Sequence, residues 1–245
     1  MYDQFARFYD RESLNDFTPV ILDFIQARRF TVRRVLDLGC GTGTFLLKLA
    51  GQGIAGTGID LSENMIALAR KKAEQSPGRE LIDFHVADMA GFSLDRRYDL
   101  VTSNLDSINH LPGEDEVRRT FSRAYEHLAD GGLFYFDVHT VAGLRTWSFR
   151  ENVQEEDYFS FSRAFFDEET RRGTLVIDAF RKVDPRVPYY ARYRETIREK
   201  AYPLAQIFDW LKAARFSTVE TIGPSSNLSV EEMEKLIRCF ICAYK

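Results

Sequence analysis

The chain has 245 residues, a formal net charge of −4, 44% hydrophobic residues and 29% charged residues. This length suits one large domain with an insertion, which buries enough apolar surface to need no disulfide or structural metal. The small negative charge argues against a general polyanion binder, and no apolar run reaches the length of a membrane span. The first eleven residues contain no signal-peptide core, so we expect a cytoplasmic protein.

Strands and helices alternate through the first 140 residues. Thr18 and Pro19 provide a capping hydroxyl and a proline at the first helical position, which predicts a helix that begins there. Further helices are predicted at 44–50, 63–75 and 114–128, and strands at 35–38, 54–60, 81–86, 98–103 and 132–138. Because this alternation is typical of parallel crossovers, we expect a doubly wound, mostly parallel α/β sheet with helices on both faces.

The pattern changes after residue 140. Segments 158–166 and 174–183 predict a β-hairpin around a polar turn, and 191–202 predicts a third antiparallel strand. The α/β pattern then resumes with helices at 204–214 and 230–236 and strands at 216–222 and 237–244. We therefore expect one domain built from residues 1–140 and 201–245, with residues 141–200 inserted as an antiparallel β lid.

Four cations on the third inserted strand have the same parity, so a regular strand places them on one face. They are Arg192, Arg194, Arg198 and Lys200. Such a face could meet an acidic acceptor, or it could be a solvated surface, which is the commoner arrangement on an exposed strand.

Two of the three cysteines, Cys239 and Cys242, form an isolated CxxC in the last predicted strand. Residues three apart on a strand point to opposite faces, and a tetrahedral metal site needs further ligands. We therefore expect no metal site here.

A glycine-rich loop follows the first predicted strand. Residues 35–44 read VLDLGCGTGT and lead into a predicted helix. Glycine permits positive φ and close backbone approach, and a helix start presents unpaired N–H groups to an anion. We expect a ligand carboxylate or phosphate at this loop.

An acidic residue ends the second predicted strand. Asp60 lies 21 residues after Gly39, where nucleotide-binding folds place an acid that accepts hydrogen bonds from ribose hydroxyls. This spacing suits NAD and S-adenosylmethionine equally. The loop reads GxGxG instead of the dinucleotide pattern GxGxxG, and Asp37 precedes its first glycine by two residues, which favours S-adenosylmethionine. Asp88, after the third predicted strand, offers a carboxylate to the adenine amine.

Each of these residues also has a purely structural interpretation. Glycine-rich turns occur for conformational reasons alone, and Asp60 could cap the helix that starts at Ser62. Asp37 could be a buried carboxylate that bonds the amides of its own loop.

Four motifs in this order resemble those of class I S-adenosylmethionine-dependent methyltransferases: DLGCGTG at 37–43, GID at 58–60, ADM at 87–89 and GGLFYFD at 131–137. The resemblance spans nearly the whole chain and implies a Rossmann-like, seven-stranded sheet. It implies that the glycine loop lines the methionine part of the cofactor, that Asp60 binds ribose and that Asp88 with Met89 recognises adenine. The implied cofactor-binding set is Asp37, Gly39, Cys40, Gly41, Gly43, Asp60, Leu61, Met65, Asp88, Met89 and Asn104.

The reacting groups are expected beyond the carboxyl end of the fourth strand, beside the switch point of the sheet. Residues 102–111 there read TSNLDSINHL, which resembles small-molecule N-methyltransferases that act on amino sugars and on glycine. His110 is therefore our candidate for a general base or acceptor-orienting group, because imidazole titrates near working pH. The alternative is that His110 only caps or packs beside Pro112.

The N-terminal segment is rich in aromatic residues, namely Tyr2, Phe5, Phe8 and Tyr9. It is similar to the segment that folds over the cofactor in this family, so Tyr9 is our second catalytic candidate, with its phenol near the pocket mouth. An amphipathic helix anchored on the core is the plainer explanation.

The sequence thus predicts methyl transfer from S-adenosylmethionine to a small-molecule acceptor, preferably at nitrogen, with S-adenosylhomocysteine as product. The alternatives are an RNA or protein methyltransferase, a non-catalytic cofactor-binding module and a nicotinamide-linked dehydrogenase. The net charge and the lack of an RNA-binding appendage count against RNA. We expect no nucleic-acid or membrane partner, and either a monomer or a homodimer.

Overall fold

A computed structural model describes residues 6, 9–10, 18–147 and 150–245. Of these, residues 150–154 are described by their backbone alone. In the described residues the helices are α1 (Thr18–Ala27), α2 (Thr44–Ala50), α3 (Glu63–Glu74), α4 (Glu114–His127), α5 (Val141–Arg145), α6 (Leu204–Ala213) and α7 (Val230–Met233). The strands are β1 (Arg34–Leu38), β2 (Ala55–Asp60), β3 (Ile82–Val86), β4 (Tyr98–Ser103), β5 (Leu128–His139), β6 (Arg150–Gln154), β7 (Tyr158–Asp167), β8 (Arg172–Lys182), β9 (Tyr190–Lys200), β10 (Thr218–Ile222) and β11 (Arg238–Tyr244).

Seven strands form the larger sheet, in the order β10-β11-β5-β4-β1-β2-β3. Strands β1 to β5 pair in parallel, whereas β11 runs antiparallel to both β5 and β10. The chain moves from β1 to β2 and β3 on one side and returns to β4 on the other side. The carboxyl ends of β1 and β4 therefore meet at the switch point, where such sheets bind their ligands.

The larger sheet separates two hydrophobic cores. Val35 of β1 packs in the core that holds α2 and α3, whereas its neighbour Leu36 packs in the core that holds α4 and α6. Because helices cover both faces, β1 is buried at four of its five positions and its sequence does not alternate. Among the described residues, no helix is long and apolar enough to cross a membrane.

The smaller sheet is inserted between α5 and α6 and has the antiparallel order β6-β7-β8-β9. Three of its strands agree with the predicted segments, and β6 was not predicted. On its outer face, Arg192 and Arg194 each donate from Nε to Asp178 of β8 at 2.8 Å. These two cations therefore pair with a neighbouring strand and do not form a free cationic face.

The last strand, β11, confirms the expected alternation of its cysteines. Cys239 packs in the core of α4 and α6, and Cys242 packs in the opposite core. Both are buried free thiols. Their separation by the sheet explains why CxxC on a strand does not bring two sulfurs together.

Candidate active site

The loop after β1 bends onto the start of α2. Gly39 and Gly41 have φ values of 72° and 53°, in the left-handed region that disfavours side chains. A Cβ on Gly39 would lie 2.8 Å from Oγ of Ser107, so the backbone also approaches the loop after β4 closely. The glycines are thus required by the fold, and they leave a cradle of exposed backbone.

The carboxylate of Asp60 ties this loop to the start of α3. One oxygen accepts from the amide of Gly41 at 2.9 Å and the other from the amide of Ser62 at 2.8 Å. Ser62 itself caps α3, because its Oγ accepts from the amide of Met65 at 3.3 Å. Burial raises the pKa of Asp60, and its two amide hydrogen bonds oppose that shift.

Asp37 is buried at the carboxyl end of β1, where only 2% of the residue is exposed. Its Oδ1 accepts from Oγ1 of Thr102 at 2.7 Å and from Nδ2 of Asn104 at 2.9 Å. These partners come from β4 and its following loop, not from the amides of the glycine loop. Burial raises the pKa of Asp37 to about 7.

A cleft of about 420 Å³ opens over the glycine loop. Residues from β1, its loop, the N-terminal segment and the loop after β4 line it together. Six predicted site residues are among them: Tyr9, Asp37, Gly39, Cys40, Gly41 and Asn104.

The other predicted cofactor-binding residues are not among those that line this cleft. Leu61 exposes 70% of its surface, whereas Met65 is buried inside α3 at 2% exposure. Gly43 is the left-handed residue before α2. Oδ1 of Asp88 accepts from the amide of Ala90 at 2.9 Å.

Two residues of the N-terminal segment cover the glycine loop. Asp10 accepts hydrogen bonds from Oγ1 of Thr42 at 2.6 Å and from Nζ of Lys72 at 2.8 Å. Its neighbour Tyr9 lines the cleft, and burial together with the carboxylate of Asp106 raises the pKa of the phenol. The other predicted members of this segment, Tyr2, Phe5 and Phe8, lie outside the described residues.

A buried charge cluster fixes the loop after β4. Leu105 and Asp106 both adopt left-handed backbone conformations, with φ values of 53° and 54°. Asp137 of β5 holds them there, because its oxygens accept from the two amides at 2.8 and 3.0 Å. Arg238 of β11 donates to both Asp106 and Asp137.

Two histidines and a glutamate extend this cluster. Nε2 of His110 lies 3.7 Å from Oδ2 of Asp106 and 3.8 Å from Oε1 of Glu199, and Nδ1 of His139 lies 2.9 Å from Oε2 of Glu199. Burial lowers the pKa of His110, and it lowers the pKa of His139 to about 4. His110 is therefore a neutral imidazole beside acidic groups, and not only a neighbour of Pro112.

Three members of the cluster have the residue types of a metal site. The candidate ligand atoms of Asp106, His139 and Glu199 all lie within 4.8 Å of one another. However, Nη2 of Arg238 donates to Asp106 and lies 2.8 Å from Nε2 of His139. Since a guanidinium only donates, Nε2 accepts and Nδ1 carries the ring hydrogen, which is the wrong tautomer for a metal on Nδ1. We therefore interpret the group as a proton-sharing cluster.

Sequence reasoning missed five residues of this cluster: Asp106, Asp137, His139, Glu199 and Arg238. A signal existed for Asp137 and Arg238, which are charged residues in otherwise apolar strands and must be paired when buried. Glu199 gave no such signal, because it lies in a strand of alternating charges.

A methyltransferase domain family matches residues 35–132 of the chain. A putative methyltransferase from Geobacillus sp. is 33% identical along all of this chain and 99% of its own length. The chain belongs to the methyltransferases.

Two further comparisons bear on this methyltransferase. The crystal structure of an S-adenosylmethionine-dependent methyltransferase from Clostridium acetobutylicum has the same fold, with a TM-score of 0.80 at 22% identity over 99% of this chain and 98% of its own. The dTDP-3-amino-3,6-dideoxy-alpha-D-glucopyranose N,N-dimethyltransferase of Streptomyces fradiae is 36% identical over 118 residues, which are 48% of this chain and 41% of its own.

The solved structure confirms the class I methyltransferase fold that the motifs predicted. The described residues fit the cofactor that the motifs predicted, because glycine at position 39 leaves the backbone of the loop bare where a Cβ would lie 2.8 Å from Oγ of Ser107. Asp60 ends β2 beside this cradle, and the exposed apolar side chain of Leu61 follows it.

Proposed function

We propose that this methyltransferase transfers a methyl group to an amine nitrogen of a small-molecule acceptor. The observation that carries the proposal is the position of His110, which lies beside Asp106 in the loop whose residues Asn104 and Leu105 line the cleft. The similarity to a sugar N,N-dimethyltransferase supports nitrogen as the acceptor atom.

S-adenosylmethionine supplies a methyl group activated by a positively charged sulfur. In our proposal the glycine loop binds its methionine part, Asp37 pairs with its ammonium group, and Asp60 accepts from its ribose hydroxyls. Asp88 and Met89 lie after β3, where they would recognise adenine. Tyr9 would cover the cleft and exclude water, which strengthens the electrostatic interactions inside it.

The chemical step needs an acceptor nitrogen with a free lone pair in line with the breaking carbon–sulfur bond. As the nitrogen–carbon bond forms and the carbon–sulfur bond breaks, the nitrogen becomes cationic and must lose a proton. In our proposal the imidazole of His110 accepts this proton, because burial lowers its pKa and favours the neutral ring. The carboxylate of Asp106, 3.7 Å away, then stabilises the imidazolium.

A panel of amines tests this proposal. The protein is incubated with methyl-labelled S-adenosylmethionine and with amino sugars, amino acids and simple amines, each paired with the matching alcohol. We expect label on the nitrogen of at least one amine class and none on the alcohols. Label on alcohols, RNA or protein instead, or cofactor binding without any transfer, would contradict it.

A further inference from the structure

A buried acid of the inserted sheet reaches the catalytic loop. Glu199 lies near the end of β9 and exposes only 3% of its surface. One of its oxygens lies 2.9 Å from Nδ1 of His139, and the other lies 3.8 Å from Nε2 of His110. A carboxyl oxygen of Glu199 also lies within 4.8 Å of a carboxyl oxygen of Asp106. The inserted sheet therefore contributes a side chain to the site, although it belongs to a separate sheet.

The hydrogen bonds of this cluster determine where its protons are. Two carboxyl groups can bond to each other only if one of them carries a proton. Asp106 is paired with Arg238, which favours its ionised form. When the two groups bond, Glu199 is therefore the partner that carries the proton.

The tautomer of His139 supports the same assignment. Its Nε2 faces Nη2 of Arg238 at 2.8 Å and must accept, so its Nδ1–H donates to Oε2 of Glu199. The remaining oxygen of Glu199 is thus available to hold the proton that bonds Asp106. Every donor in this chain of contacts then meets an acceptor.

We propose that Glu199 is a positioning residue, which enters the active site as a neutral carboxylic acid and donates a hydrogen bond that holds Asp106 beside His110. The proposal rests on the proposed function for the role of His110. It assigns the inserted sheet a part in the chemistry, because the proton of Glu199 keeps the carboxylate of Asp106 in place to stabilise a cationic His110. Burial and the adjacent Asp106 raise the pKa of Glu199 well above its usual range, in agreement with this assignment.

Stability then depends on pH in a defined direction. The titratable and charged groups around Glu199 are Asp106, His110, Asp137, His139 and Arg238. Ionised Glu199 would place a third carboxylate beside two that share one guanidinium. Since the folded-state pKa lies above the unfolded one, the contribution of Glu199 is complete at acidic pH and is lost as pH rises through the folded-state pKa.

The variant Glu199→Gln tests whether Glu199 is a neutral acid or an ionised one in the folded protein. Its amide nitrogen donates to Asp106 and its oxygen accepts from His139, which reproduces both hydrogen bonds without a titrating proton. Near pH 6, which already exceeds the unfolded-state pKa of a glutamate, we expect the full chain of this variant with S-adenosylhomocysteine to unfold at a higher temperature than wild type. Near pH 9 we expect a larger margin. Nitrogen-15 NMR should show His139 as the Nδ1–H tautomer in both proteins.

Two further variants complete the experiment. Glu199→Ala removes both hydrogen bonds and should unfold at a lower temperature than Glu199→Gln at both pH values. Glu195→Gln, on the same face of β9, should change neither value, because Glu195 is partly exposed and lies outside the cluster. Once an acceptor is known, Glu199→Gln should keep kcat within about threefold and extend activity to higher pH, whereas Glu199→Ala should lower kcat more than it raises KM.

Two results would overturn the proposal. The first is an unfolding temperature of Glu199→Gln near pH 6 that is no higher than that of Glu199→Ala. The second is a divalent ion, tested as Zn²⁺ or Mn²⁺, that stabilises wild type but not Glu199→Gln, because such an ion requires an ionised glutamate. Neither the unfolding measurement nor the ion test needs a methyl acceptor, so either contrary result refutes only the assignment of Glu199. The proposed function is refuted separately, by failure of the amine panel.

Discussion

At the scale of a single residue, folding and cofactor binding favour opposite protonation states of Asp37. Folding alone favours its protonated form, since burial raises the pKa of this carboxyl to about 7. Binding an ammonium group instead favours the ionised form. An active site often retains such a group at the expense of stability.

We expect Asp37→Asn to stabilise the free protein at alkaline pH and to weaken cofactor binding. The folded-state pKa lies above the unfolded one, so the stabilising contribution of Asp37 is complete below about pH 4 and is lost as pH rises through about 7. An asparagine oxygen still accepts from Thr102 and Asn104 but never ionises. Thermal unfolding without cofactor should therefore show a gain over wild type near pH 8 and little difference near pH 4. A gain that is the same at both pH values would contradict this account.

His110 should control the acidic limb of the pH–rate profile. Burial lowers its pKa below the usual 6.5, so the imidazole stays neutral, and able to accept a proton, until the pH falls further. His110→Ala should reduce kcat/KM by about 10²–10⁴-fold and remove this limb. Its affinity for S-adenosylhomocysteine should remain that of wild type. An unchanged pH profile in His110→Ala would show that another group accepts the proton.

At the scale of elements, the loop after β4 depends on two neighbouring strands. Its left-handed residues Leu105 and Asp106 are held by Asp137 of β5, and Arg238 of β11 neutralises the charge. Asp137 is fully buried, so none of its charge is screened by water. Strands β5 and β11 therefore set the geometry of the loop after β4.

Asp137→Ala should cost about 3–5 kcal/mol of unfolding free energy, because it leaves the buried guanidinium of Arg238 and two amides without this partner. Glu168→Ala is a matched control, since Glu168 also pairs with one arginine, Arg145, but both of these side chains are more than half exposed. That change should move the unfolding midpoint little, because exposed ion pairs contribute weakly. Equal losses in urea unfolding of the two variants would contradict the role of Asp137.

The order of elements in the larger sheet could be predicted from the sequence, because each strand or helix has its own local pattern. Segment 98–103 was predicted with the observed bounds of β4, and 44–50 with those of α2. Segment 114–128 was predicted one residue longer than α4, because Leu128 continues the apolar pattern while it begins β5. β6 was missed because it pairs only with β7, at the edge of its sheet.

At the scale of the whole molecule, the glycine loop was more predictable from the sequence than the buried charge cluster. Glycines and Asp60 lie close together in sequence, so their spacing carries the information. The charge cluster instead joins residues from four distant parts of the chain, at positions 106–110, 137–139, 199 and 238. Only the folded sheets bring these groups together, and no local pattern reports such a contact.

The most direct test of the central claim is a calorimetric titration with S-adenosylmethionine and S-adenosylhomocysteine, using wild type, Asp60→Ala and the exposed control Asp95→Asn. We expect micromolar-range binding by wild type and by Asp95→Asn. Asp60→Ala should bind about 10–100-fold more weakly, because it loses hydrogen bonds to a charged acceptor. Folded wild-type protein that binds neither ligand, or Asp60→Ala with wild-type affinity, would contradict the cofactor site described above.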